Sequence, residues 1–162
     1  MKHILSILLA CTLFFGCSKS NDNEQSDTNS ISINNQDFKI NTATMIGVSL
    51  SGSGHTSISL ISGTGFQVNT LTIDVESFTK ETITGNYSYP TAEGDKVLDD
   101  WLSSYASFND SGVETTNLKE GEVQINHNSG NNYTLNMNLL MNDGTEFKGT
   151  YTGDFMVNFV NQ

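Results

Sequence analysis

Beyond His3, this chain has two histidines, His55 and His127, and either could serve as a base. A Ser-His-Asp triad needs such a base beside a nucleophile. Ser53 lies near His55, but no serine sits in a G-x-S-x-G elbow. Neither H-x-x-x-H nor H-E-x-x-H spacing occurs, so the spacing assigns no histidine zinc site. Glycoside hydrolysis needs two carboxyl groups about 5–10 Å apart. Asp74 and Glu76 alternate with Ile73 and Val75, which puts the two acids about 7 Å apart on one strand face. That alternation reads as a solvated sheet face. Glu93, Asp95, Asp99 and Asp100 crowd one acidic stretch. Calcium takes six to eight oxygen ligands, but the EF-hand spacing is missing; a plain acidic loop is expected, with a calcium loop as the alternative. Tyr87, Tyr89, Trp101 and Tyr105 flank this stretch. Aromatic faces beside Asn and Asp can stack on sugar rings, and these four are the candidate ligand-binding residues. Aromatic rings also dominate β-domain interiors, and the core reading predicts that Trp101 is buried. The glycines at 52, 54, 63 and 65 precede no helix or lysine in phosphate-loop spacing. The sequence thus assigns no catalytic residue, metal ligand or cofactor.

Charge narrows the partners. The chain has no arginine, and eighteen Asp and Glu face seven lysines. Without Lys2 the formal charge of residues 17–162 is −12. Nucleic-acid binding needs basic surface to neutralise phosphates, so no nucleic-acid partner is expected. Anionic ligands are disfavoured too, since arginine is their usual bidentate partner. The cysteines are Cys11 and Cys17; the first is expected to leave with an export signal and the second to carry lipid, so no disulfide is expected in the domain. Stability must come from strand pairing and core packing.

The N-terminus reads as an export signal. Met1-Lys2-His3 precedes an apolar run from Ile4 to Phe15, then Gly16-Cys17 and a polar stretch beginning SKSNDNEQ. The run is shorter than the about 20 residues of a membrane-spanning helix and fits a secretory h-region. Leu8-Leu9-Ala10-Cys11 has similar letters, but cleavage there would leave too short an apolar core, below about 7 residues. The pattern ending at Cys17 resembles the lipobox of bacterial lipoproteins. That resemblance implies removal of residues 1–16 and acylation of Cys17, with palmitate among its chains. Two or three chains anchor a protein stably, whereas one binds only marginally. Residues 17–30, with no apolar residue from Ser18 to Ser30, read as a flexible tether. Residues 31–162 read as one domain. The expected location is the bacterial cell envelope, at either face of the outer membrane.

Alternation of apolar and polar residues predicts strands throughout that domain. Ile31 and Ile33 alternate, as do Phe38 and Ile40, around a turn at 34–37. Further runs cover 43–50, 56–62, 71–78, 83–89, 101–108 and 122–126. Tyr133, Leu135, Met137, Leu139 and Met141 share one parity, which Phe147, Tyr151, Phe155, Val157 and Phe159 resume after the Asn142-Asp143-Gly144 turn. Gly149 and Gly153 predict a bend in that last strand. No helix-length amphipathic segment appears. The fold class is all-β: an antiparallel sandwich or barrel-like meander of about eight to ten strands. Gly121-x-Val123-x-Ile125, Tyr133-x-Leu135, Asp143-Gly144-Thr145 and Gly149-x-Tyr151-x-Gly153 are similar to the C-terminal meander of small Bacteroidota lipoproteins. The resemblance implies a secreted β-domain and brings no catalytic residues. The expected function is non-enzymatic, in binding a glycan or protein ligand or in envelope structure. The alternatives are a carbohydrate- or calcium-binding module and a small carboxylate-dependent hydrolase.

Overall fold

A computed structural model describes residues 28–50, 53–77 and 79–161 of the chain. The expected signal, Cys17 and residues 17–27 of the tether lie outside these. The described residues form thirteen strands and no helix. Nine are five residues or longer: β4 (Thr42–Leu50), β5 (Ser53–Thr64), β6 (Gln67–Val75), β7 (Gly85–Tyr89), β9 (Ser104–Asn109), β10 (Gly112–Ser129), β11 (Asn132–Met141), β12 (Glu146–Asp154) and β13 (Met156–Asn161). Four are two-residue pairings: β1 (Thr28–Asn29), β2 (Ser32–Ile33), β3 (Gln36–Asp37) and β8 (Lys96–Val97). The sheet therefore starts at Thr28, three residues before the expected boundary, because Thr28 and Asn29 pair with Thr152 and Tyr151 of β12.

The strands run β13-β4-β5-β6-β9-β10-β11-β12-β2-β3 in one open sheet, with β7 beside β10 and β8 beside β7. Long β10 folds this sheet into two leaves. Its first half, Gly112–Asn117, pairs with β9. Its second half pairs with β11 on one side and β7 on the other. A bulge between Leu118 and Glu120 marks the change of partner. Most pairs are antiparallel as expected, but β13 runs parallel to β4 and β7 parallel to β8. The predicted single bent strand through Phe159 is in fact two strands. The chain leaves one leaf after Asp154, buries Phe155, and enters the other leaf at Met156.

The predicted parities hold. Ile58, Leu60, Leu71, Ile73, Val75, Val123, Ile125, Tyr133, Leu135, Met137, Leu139, Met141 and Phe147 all belong to one buried core shared by the two leaves. Tyr105 of β9 meets Phe147 of β12 edge-on at 5.1 Å across the interior. The first hairpin turns on Asn34 and Asn35, both with positive φ, the geometry that a two-residue turn between twisted strands requires.

Tyr133 is fully buried, and its hydroxyl has no hydrogen-bond partner. An unsatisfied buried hydroxyl costs about 1–3 kcal/mol. Tyr133→Phe is therefore expected to raise the stability by about 1 kcal/mol, read from chemical denaturation. Burial also pushes the phenols of Tyr87, Tyr105 and Tyr133 above their ordinary value of 10.0. These groups favour the folded state below that value and lose the contribution as pH rises through their raised folded values. The wild-type chain should thus destabilise in alkali, and Tyr133→Phe should move the alkaline unfolding midpoint upward.

Candidate functional site

On the outer face of the leaf built from β13, β4, β5, β6 and β9, pairing register sets the neighbours. Val160, Val48 and His55 form one cross-strand row. Asn158, Ile46, Ser57 and Asp74 form the next. His55 is thus diagonal to Asp74, within side-chain reach across the strands. Its Nδ1 lies 2.8 Å from Asp74 Oδ1, and the Ser57 hydroxyl donates to Asp74 Oδ2. Asp74 is only 2% exposed. This overturns the solvated-face reading of Asp74 and Glu76; only Glu76 is exposed.

The cover over Asp74 comes from elsewhere in the chain. Val75 bridges Leu98, the Asp99 N–H donates to the Asp74 carbonyl at 2.9 Å, and the Asp74 N–H donates to Ser103 Oγ at 2.9 Å. Residues 99–103 make a compact turn between these points. Asp99 Oδ1 accepts the N–H groups of Trp101 (3.0 Å) and Leu102 (2.7 Å). Asn117 Nδ2 donates to the Trp101 carbonyl at 2.6 Å, and the Leu118 N–H donates to the Ser103 carbonyl. The turn is therefore tied to β6 on one side and β10 on the other. It carries the Asp99 carboxylate toward His55 and Asp74: one donor atom from each residue lies within 4.8 Å of the other two.

The same turn presents Trp101 to solvent at 77% exposure, with Leu102 exposed beside it. The expected burial of Trp101 is thereby corrected. The run at 101–108 predicts a strand, but the Asp99 side chain caps the backbone of 101 and 102, and β9 begins only at Ser104.

The four candidate aromatic residues do not converge. Tyr87 is fully buried and donates its hydroxyl to the Ile83 carbonyl at 2.7 Å. It is a core residue, which corrects its assignment as a ligand contact. Tyr105 faces inward, with its hydroxyl on Asn69 Oδ1 at 3.1 Å and its ring against Phe147. Tyr89 is half-buried against the core. Its phenol is held above the ordinary value by a hydrogen bond to the Asp100 carboxylate, whose charge adds to the effect. Of these four, only Trp101 presents an open aromatic face. The acidic stretch does not act as one loop either. Lys96 and Val97 pair with Tyr87 and Ser88, and Leu98 is buried. Asp99 is drawn to His55 and Asp74, while Glu93 stays exposed.

A second, shallow concavity lies on the other leaf. Asn86, Asp95, Glu122, Gln124, Asn136 and Asn138 line it. Its polar groups could meet sugar hydroxyls, but the Tyr87 ring beneath is buried and offers no stacking face.

His55, Asp74 and Asp99 stand in three separate contexts in the sequence, and no local pattern joins them. One signal was available. A turn centred on Gly65 and Phe66 places Ser57 opposite Asp74, with His55 two residues along the same strand and so on the same face. Comparison with known proteins adds no relative: no family model, curated protein or solved structure matches the chain.

Proposed function

We propose that this chain is an exported lipoprotein, acylated at Cys17 and held in the bacterial envelope, whose β-domain binds a ligand without catalysing a reaction. The observation that carries the binding reading is the open Trp101 ring on a turn clamped at both ends. Trp101 and Leu102 are exposed side by side, and a contiguous apolar patch, unlike a lone residue, marks an interaction site. Clamping fixes the ring before the ligand arrives and so reduces the ordering cost of binding. The face beside it mixes apolar Ile46, Val48 and Val160 with the polar His55–Asp74 pair. That mixture suits a neutral glycan: apolar rings stack on sugar C–H faces, and the polar groups orient hydroxyls. The acidic charge disfavours a polyanion. Envelope location rests on the Gly16-Cys17 motif and follows the energetics of acyl chains in a bilayer.

Two measurements test the two halves. Labelled palmitate should enter the wild-type protein and not Cys17→Ser; equal labelling removes the anchor. Trp101 is the sole tryptophan, so its emission should resemble indole in water and respond saturably to cellohexaose or maltoheptaose. Binding that persists by calorimetry in Trp101→Ala, which removes the ring, moves the ligand face elsewhere.

A further inference from the structure

We infer that His55, Asp74 and Asp99 form a binding site for one divalent transition-metal ion, zinc by its donor chemistry. The inference goes beyond the ligand-face reading and needs neither the lipid nor a glycan.

Geometry comes first. The three donors come from β5, β6 and the 99–103 turn, so the fold and not sequence proximity gathers them. Zinc bonds of about 2.1 Å place tetrahedral donors about 3.4 Å apart. His55 Nδ1 and Asp74 Oδ1 at 2.8 Å must part slightly. No pair in the cluster is separated by more than 4.8 Å, so closure requires at most about 1.4 Å of movement. His55 has room to supply it, with its side chain 37% exposed. Asp99 is also incompletely buried.

The donor set comes next. One imidazole nitrogen and two carboxylate oxygens suit zinc, which accepts both atom types. Calcium prefers an all-oxygen shell of six to eight donors. Three protein donors leave a fourth position on a tetrahedral ion, and the His55 side chain is 37% exposed.

Charge supplies an independent reason. The Asp74 side chain is only 3% exposed, and a second carboxylate, Asp99, lies within 4.8 Å. Among the described residues the ion pairs are His55–Asp74 and Lys148–Glu146, so no lysine neutralises this pair of acids. A buried carboxylate with a second carboxylate beside it is unfavourable unless a cation or proton joins them. A divalent ion would balance both.

The surrounding hydrogen bonds fit as well. Ligating carboxylates are usually held by outer partners. Ser57 holds Asp74 Oδ2, and the N–H groups of Trp101 and Leu102 hold Asp99 Oδ1. Asp99 Oδ1 already accepts two N–H groups, so Oδ2 is assigned to the ion.

Zinc titration of the full chain in detergent tests the site by calorimetry. One ion per chain is expected, with calcium failing to compete. Cobalt in place of zinc should quench Trp101, because Asp99 is two residues away. His55→Ala and Asp99→Asn should each weaken zinc binding at least about tenfold. Asparagine retains an oxygen acceptor for the 101 and 102 N–H groups, so Asp99→Asn should preserve the turn; an unchanged circular dichroism spectrum checks this. Asp95→Asn should leave zinc affinity unchanged. Absence of saturable binding at one ion per chain overturns the site. So does an affinity that survives both His55→Ala and Asp99→Asn, or one that is lost in His127→Ala instead.

Discussion

Gly149→Ala should unfold a large fraction of this domain's stability, and its thermal midpoint should fall by many degrees. The glycine has φ of +129°, a region L side chains rarely adopt. A Cβ there would run into the Ser30 carbonyl, lie 2.8 Å from the Ser30 carbonyl carbon and 2.9 Å from Ile31 Cα. Both obstacles are backbone and cannot rotate away. They belong to the first edge of the sheet, where β1 and β2 flank β12 with a break between them. At that break the Ser30 N–H donates to the Thr150 carbonyl, and the Ser30 hydroxyl accepts the Thr150 N–H at 3.1 Å. Pushing Ser30 outward breaks both bonds and lifts buried Ile31 from the core. Backbone strain alone costs about 1–3 kcal/mol, and a lost core contact adds to it. A total of about 3 kcal/mol or more is expected, against the about 5–15 kcal/mol that a domain typically has. Gly144 provides the control. It also has positive φ, but nothing lies within 4 Å of its would-be Cβ, so Gly144→Ala should cost only the backbone term. Chemical denaturation of the two variants side by side checks the difference; equal losses would show that strain, not the Ser30 contact, dominates.

These two glycines also show what a sequence can and cannot reveal here. Asp-Gly at 143–144 names its own turn, because the demand for positive φ is local. Gly149 announces a bend, but its reason is the chain segment at Ser30, far away in sequence. The same division runs through the fold. Period-two alternation located the strands of the last third and their inward face, since one buried face forces that pattern. It could not show that β10 serves two leaves, because residues 113–117 pair without burying large apolar groups. Nor could it show that Phe155 crosses between leaves, because the parity of Val157 and Phe159 is the same on either path. Asp74 failed for a related reason. A strand position facing outward is solvated only if nothing is laid across it, and the 99–103 turn lies beside it through Asp99 and Ser103. Trp101 failed in the opposite sense: an aromatic residue next to a strand reads as core, but the Asp99 cap holds it in a turn. Local pattern decided faces, while tertiary cover decided which polar residues became a site.

Phe147→Ala is the second large effect expected. Phe147 is fully buried on β12, opposite Ile33 of β2 and Leu139 of β11. Its ring meets Phe38 edge-on at 5.4 Å and Tyr105 at 5.1 Å. Three parts of the molecule therefore touch one side chain: the N-terminal hairpin, the leaf of β12 and the leaf of β9. Truncating a buried phenylalanine costs about 3–5 kcal/mol, through lost transfer energy and the cavity left behind. The upper part of that range applies, because a void between two leaves can shrink only if whole sheets move, and strand pairing resists that. Phe147→Leu keeps most of the volume and should cost about half as much, with the loss concentrated in the two ring–ring contacts, each about 0.5–1.5 kcal/mol. Tyr105 gives a readout of its own. Burial raises its phenol above 10.0, so opening the space around Phe147 should bring the Tyr105 ionisation down toward its ordinary range. Phenolate absorbance during an alkaline titration of folded Phe147→Ala would detect this. An unshifted Tyr105 together with a stability loss below about 1 kcal/mol would mean that the leaves do not share their core at this point.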